Sequence, residues 1–171
     1  MTLLVTEHFT LRRPQASDLT PWTGFYLSER GAWNGGGRDS DEGRAWRMFA
    51  AFIGHWEIHG FGPFVIETAG TGSPVGMTGP WFPASHPEPE ILWNAWSTQT
   101  EGTGTMAEAT REVLRHVFED LQWTTAVSYV DPGNTRSLRL AERLGATVDA
   151  DAPRPHPDDR VLRHPNPGQR P

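Results

Sequence analysis

Apolar and polar positions alternate in Phe9-Thr-Leu-Arg-Arg13 and stop at Pro14, which predicts a first strand. The spacing then changes to a helical one. Trp22, Phe25, Tyr26 and Leu27 form a short apolar face that Ser17 or Asp18 can cap. A flexible Asn34-Gly-Gly-Gly37 loop follows, and Asp39 to Asp41 open a longer helix. Its predicted buried stripe is Ala45, Met48, Phe49, Phe52, Ile53 and Trp56, and Gly60-Phe-Gly-Pro63 ends it. Two strands, Phe64–Glu67 and Val75–Met77, flank the turn signal Ala69-Gly-Thr-Gly-Ser-Pro74. A Pro-rich connection runs from Trp81 to Pro89. Glu90–Trp96 reads as the next strand, and Met106, Ala109, Val113, Leu114, Val117, Phe118 and Leu121 repeat at helical spacing after it. Thr125–Val130 is rich in β-branched and aromatic residues and reads as a strand. Asp131-Pro-Gly-Asn134 turns the chain into a helix carrying Leu138, Leu140, Ala141 and Leu144, with Gly145 as its stop. Residues 147–149 and 160–164 complete the pattern as two short strands. This order predicts one α/β domain on a mixed sheet across residues 1–171, with a core over about 7–164 and a frayed tail over 165–171.

Composition narrows the chemistry. The chain has 171 residues and no cysteine, which excludes thiolate metal sites and a Cys-bound acyl intermediate. All fifteen basic residues are arginine, which excludes a lysine Schiff base and a Gly-Lys-Ser/Thr phosphate loop. The net charge of −6 argues against a nucleic-acid partner and favours cationic substrates. No apolar run reaches membrane-spanning length, and Met1–Glu7 lacks a basic leader, so the expectation is a cytoplasmic protein without membrane attachment. His55 and His59 share a helix face at metal-binding spacing, but Glu57 is not adjacent to His55 and no third ligand is evident. No metal is expected.

The stretch with chemistry in it is Gln99-Thr-Glu-Gly102-Thr-Gly104-Thr-Met-Ala-Glu-Ala109, a glycine loop between a strand and a helix. Such a loop aims backbone N–H groups and a helix N-terminus at an anion. Gly102-Thr-Gly104-Thr-Met-Ala107 also satisfies the loose dinucleotide fingerprint. Against a nicotinamide cofactor stand the long interval to Asp131, the short remaining chain, and the strands already preceding the loop.

The pattern Gln99-x-x-Gly102-x-Gly104 followed by Met-Ala-Glu-Ala resembles the acetyl-CoA signature of the GNAT superfamily of N-acetyltransferases. It is closest to the Rim-type branch, which acetylates N-terminal amines of ribosomal proteins and small amines. A second block, Asn134-Thr-Arg-Ser137 leading into Ala141-Glu-Arg-Leu-Gly-Ala146, resembles the same branch. The resemblance implies a single GNAT-like α/β domain with a mixed, mostly antiparallel sheet and helices on both faces. It implies that the backbone N–H groups from Gln99 to Thr105, with Gln99, Gly102, Thr103, Gly104 and Thr105 as the named positions, hold the pyrophosphate of acetyl-CoA, that Trp93–Ala95 runs beside the pantetheine arm, and that Asn134 hydrogen-bonds near it. The implied acceptor is an amine-bearing small molecule or a protein N-terminus; a homodimer is left open. A non-catalytic acyl-CoA sensor is the alternative.

Acyl transfer to an amine needs a neutral amine, an oriented attack and a proton for the leaving thiolate. Glu88 and Glu90 share a strand face if Pro89 keeps the strand regular, and Glu90 begins the strand leading to the cofactor loop, so Glu90 is the candidate base. Many family members place a Tyr donor four residues before the helix-ending Gly; here that position is Ala141. Ser137 is the replacement donor. Trp33, Trp81, Phe82 and His86 are expected in loops facing the acceptor.

Overall fold

The alternating stretches pair into one eight-stranded sheet in the computed structural model, which describes residues 3–167. The strands are β1 (Leu3–Val5), β2 (Phe9–Arg12), β3 (Phe64–Thr68), β4 (Pro74–Trp81), β5 (Glu90–Ala95), β6 (Val127–Val130), β7 (Thr147–Val148) and β8 (Arg160–Arg163). Their spatial order is β1-β2-β3-β4-β5-β6-β8-β7. Every neighbouring pair is antiparallel except β5 and β6. The α-helices are α1 (Leu19–Tyr26), α2 (Glu42–His59), α3 (Thr105–Arg115, prolonged by a π-turn over His116–Asp120) and α4 (Thr135–Arg143). The mixed, mostly antiparallel α/β domain is the expected one. The glycine loop follows the fifth strand of this sheet, so the parallel, doubly wound frame of a dinucleotide fold is not what surrounds it.

Helices cover both faces because the strands alternate. Phe64 and Ile66 of β3 point to α3, where they pack with Ala109, Val113 and Val117. Val65, between them, points the other way to Trp22, Phe49 and Phe52 of α1 and α2. A bulge between Ile66 and Glu67 shifts the register with β4, which puts Val75 on the α3 side and Met77 on the α2 side. Trp22 is fully buried, and its indole N–H donates to the Ala45 carbonyl at 2.8 Å, so the largest ring of the α1–α2 layer carries no unmet polar group.

Local departures from the expected pattern have local causes. β1 is a three-residue edge strand with too short an alternation to read. β4 runs on to Trp81, four residues beyond the expected strand and into the first residue of the expected connection, because it pairs with β5 from Gly76 to Trp81. Asp18 does stand at the start of α1, but its carboxylate does not cap the helix; it takes a two-pronged bond from Arg12 at 2.7 and 2.8 Å. Asp41 caps α2 through Arg44 N–H at 2.8 Å. In α2, Ile53 is 37% exposed and His55 is buried, the reverse of the expected stripe. The terminal positions 1–2 and 168–171, including most of the expected frayed tail, lie outside the described residues.

Candidate active site

The site begins where two parallel strands stop pairing. β5 and β6 are in register only at Glu90 and Val127. One residue further on, Ser128 Oγ donates to the Ile91 carbonyl at 2.6 Å and so takes the place of a ladder bond. Buried His164 donates from Nε2 to the same Oγ at 2.9 Å, because the hydroxyl proton is already used. Burial lowers the His164 pKa to about 4, which keeps the ring neutral. Beyond this brace the strands diverge. Trp96 N–H bonds to Val75 of β4, so the peptide groups at odd positions of β5 face the gap. Arg30 covers two carbonyls at the strand's end, Ala95 at 3.0 Å and Trp96 at 2.7 Å. Trp93 has no strand partner on this side among the described residues.

α3 starts at one lip of this gap and α4 at the other. Gly102 (φ 74°) and Gly104 (φ 91°) adopt left-handed conformations that L side chains rarely take, and nothing lies within 4 Å of a Cβ built on either. The loop is therefore a concave backbone surface. No described side chain caps α3; its first helical bond runs from Glu108 N–H to Gly104 O at 2.9 Å, which leaves the N–H groups of the first turn without partners among the described residues.

The resulting cleft measures about 650 Å³. Trp93, Asn94 and Ala95 form its floor, Gly102 and Gly104 one end, and Asn134, Ser137 and Leu140 the opposite wall. Arg30, Arg136, Arg139 and Arg143 line it as well, in a chain of negative net charge. Glu101 ties Arg30 (3.2 Å) to Arg136 (2.9 Å); Arg139 and Arg143 are exposed and form no ion pair among the described residues. A smaller hollow of about 100 Å³ opens deeper between β5 and β6 and contains Glu90, Tyr129 and Asp131. Trp33, Asn34, Trp93, Asn134 and Ser137 border both spaces.

The side chains at this junction have defined hydrogen-bond roles. Asn134 caps α4 by accepting Ser137 N–H at 3.2 Å on Oδ1, which leaves its amide NH₂ as a donor. Ser137 Oγ accepts the Trp93 indole N–H at 3.1 Å, which leaves the Ser137 hydroxyl proton free to be donated. Glu90 is mostly buried and lies 2.8 Å from His86 Nε2. Burial pushes the Glu90 carboxyl above the usual carboxylate range, and the His86 contact opposes that shift. Burial also pushes the Tyr129 phenol up to about 12.

Of the residues singled out from sequence, Glu90, Ser137, Asn134, Gly102 and Gly104 come together around these two spaces. Gln99 is exposed, Thr103 and Thr105 bond each other at 2.8 Å, and none of the three lines the cleft; the expectation for them concerns backbone N–H groups. Glu88 is held by both ends of Arg163, at 2.8 and 3.0 Å, away from the hollow. Trp81 and Phe82 line neither the cleft nor the hollow: Trp81 packs edge-on against Phe52 and stacks on His55, and Phe82 N–H donates to His55 Nε2 at 2.9 Å. With Nδ1 donating to Phe61 O at 2.8 Å, His55 spends both nitrogens on the backbone, and the described residues contain no cluster of three metal-ligating side chains. Sequence reasoning missed Arg30, which reaches β5 from 65 residues away with no local signal.

Comparison with known proteins bears on this geometry. Residues 8–147 match the family described as Acetyltransferase (GNAT) domain. A mycothiol acetyltransferase of Parafrankia sp. (strain EAN1pec) is 31% identical over 142 residues, 80% of this chain; the chain spans about a third, 36%, of that relative's length. Among solved structures, an acetyltransferase from Agrobacterium tumefaciens str. C58 superposes with a TM-score of 0.90 at 35% identity, covering 96% of this chain and 94% of that one. A GNAT-family acetyltransferase from Bordetella pertussis, given as putative in its own description, superposes with a TM-score of 0.75 at 25% identity, covering 95% and 98%.

Proposed function

The chain belongs to the GNAT acetyltransferase family, and from that premise we propose that it transfers the acetyl group of acetyl-CoA to a primary amine by direct attack in a ternary complex. The observation that carries this reading is the open edge of β5 at Trp93, set between the uncapped N-terminus of α3 and the Asn134 amide. That combination matches the two halves of an acyl-CoA: an anionic pyrophosphate, and an extended amide-bearing arm that adds to a strand edge. The loop N–H groups from Gly102 onward bind the pyrophosphate, and Arg139 and Arg143 add positive charge along the wall. Asn134 donates to an amide carbonyl of the arm.

The acetyl donor supplies an activated thioester; the chain supplies orientation and protons. Glu90 takes a proton from the acceptor ammonium, which frees the nitrogen lone pair to attack the thioester, and its raised proton affinity suits that role at neutral pH. Ser137 donates its hydroxyl proton toward the leaving sulfur, a position that the Trp93 indole fixes. Trp33 forms the border between the cleft and the hollow and meets the acceptor there. The two sequence blocks favour the Rim-type branch, whose acceptors are protein N-termini and small amines.

The test is release of free CoA from acetyl-CoA with a panel of amines: peptides with free N-termini, linear diamines and free lysine. The proposal expects turnover with at least one class. Tight acetyl-CoA binding without turnover on any amine would favour a sensor, a reading that Ala141 in place of a tyrosine donor keeps specific.

A further inference from the structure

The base proposed above is not alone in its wall of the hollow. Glu90 Oε2 and His86 Nε2 lie 2.8 Å apart, and both side chains are mostly buried, 13% and 15% exposed. Two facts make this more than a surface ion pair. First, the pair spans the turn between Pro87 and Pro89, whose fixed φ angles hold the loop on β5 with little freedom. Second, the His86 ring is packed: it meets the Tyr129 ring edge-on at 5.4 Å, and its other nitrogen, Nδ1, faces exposed Ser85 Oγ at 3.5 Å. One imidazole nitrogen therefore faces the candidate base and the other faces the surface.

We propose that His86 is the positioning residue for Glu90, holding Oε2 through Nε2–H so that the carboxylate stays ionised in its buried site and presents Oε1 to the acceptor amine. The inference rests on the reading of Glu90 as the base. The proton balance is simple. A carboxylate with Nε2–H on Oε2 has lone pairs free on Oε1. When the acceptor ammonium gives up a proton, Oε1–H forms and the N–H bond of the ammonium breaks; the imidazole keeps its own Nε2 proton throughout. The proton leaves Oε1 for water once the product has gone. Without the donor, the Tyr129 backbone N–H is left to oppose burial, and Glu90 shifts further toward the protonated form, which cannot accept.

Other charges face the pair and set its background. Asp159, from the loop between β7 and β8, raises the proton affinity of Glu90, and Asp131, after β6, acts in the same sense on Asp159. The Tyr129 backbone N–H from β6 favours the carboxylate. Glu88, two residues away, is neutralised by Arg163 of β8. His86 is the donor side chain that contacts the Glu90 carboxylate among the described residues.

The experiment compares wild type, His86→Ala, His86→Gln and Glu90→Gln by kcat/KM against pH from 5.5 to 9, with KM for acetyl-CoA and the thermal midpoint as controls. Expected for His86→Ala is a tenfold or greater fall in kcat/KM at pH 7, an acid limb displaced to higher pH, and an unchanged KM for acetyl-CoA. His86→Gln, which keeps an N–H donor, restores part of the rate and moves the limb back. A His86→Ala profile that overlays wild type while Glu90→Gln is slow would overturn this inference and leave the base assignment standing. If Glu90→Gln also matches wild type, the base reading itself falls. A uniform rate loss with an unmoved acid limb and no rescue by Gln would mean that His86 only packs.

Discussion

Replacing Glu90 by Gln keeps the side chain's shape and its ability to bond His86, and removes only its capacity to accept a proton. Glu90 lines the small hollow and not the large cleft, so KM for acetyl-CoA should not change. A positioned base contributes about 10²–10⁴-fold, equivalent to about 3–5 kcal/mol of barrier. We expect kcat/KM at pH 7 to fall by that factor. The variant then depends on amine that is already neutral. For an α-amine of pKa ~7.8 that fraction is roughly one-seventh at pH 7 and nearly one at pH 9, so the variant should speed up ~7-fold over that span. For a Lys-like amine of pKa ~10.4 the neutral fraction rises from about 1 in 2,500 to about 1 in 26, a gain of ~100-fold. The sign for wild type follows from the raised Glu90 pKa: the base form is lost as pH falls through that value, so the acid limb should lie above the usual carboxylate range. A thiol reagent suits the assay, since the chain contains no cysteine and colour reports only released CoA. A Glu90→Gln enzyme within threefold of wild type at pH 7, with the same pH profile, would refute the assignment.

Three further outcomes follow from the site and its supports. Ser137→Ala should lower kcat about tenfold without changing KM for acetyl-CoA, and the deficit should shrink above pH ~8.5, where a thiolate leaves unaided; an unchanged kcat at pH 6.5 would remove Ser137 from proton donation. Reversing both Arg139 and Arg143 to Glu should weaken acetyl-CoA binding by roughly tenfold at low salt, with the loss fading at high salt as the charges are screened. His164 binds fewer protons when folded than when unfolded over about pH 4–6.5, so it should withdraw up to roughly 3 kcal/mol of stability as pH falls through that window; denaturant melts of His164→Gln, compared with wild type at pH 7 and pH 4.5, should show a smaller acid-induced loss.

The parts of this site that were legible in sequence are the locally encoded ones. Gly102 and Gly104 are required because the loop takes positive φ angles that L side chains rarely adopt, and Asn134 announces itself as the cap of α4. Glu90 was legible because it opens the strand that leads into that loop. What could not be read is what long-range packing decides. Trp81 and Phe82 look like exposed loop aromatics after a turn, yet β4 extends through Trp81, and His55 claims both. Arg30 on the β5 carbonyls and the Trp93–Ser137 bond join segments 65 and 44 residues apart, with no periodicity to betray them. The divergence of β5 and β6 is likewise tertiary: it depends on Ser128 and His164 meeting Ile91 at the point where pairing ends.

The central claim is that the loop at Gly102–Gly104 seats the pyrophosphate of acetyl-CoA. Gly104→Glu puts a negative side chain into that seat, in space that the protein itself leaves open. Isothermal titration of acetyl-CoA into wild type and Gly104→Glu, with matched thermal midpoints, tests it directly. The account predicts one-to-one binding by wild type and a loss of at least a hundredfold in the variant; equal affinities would contradict it.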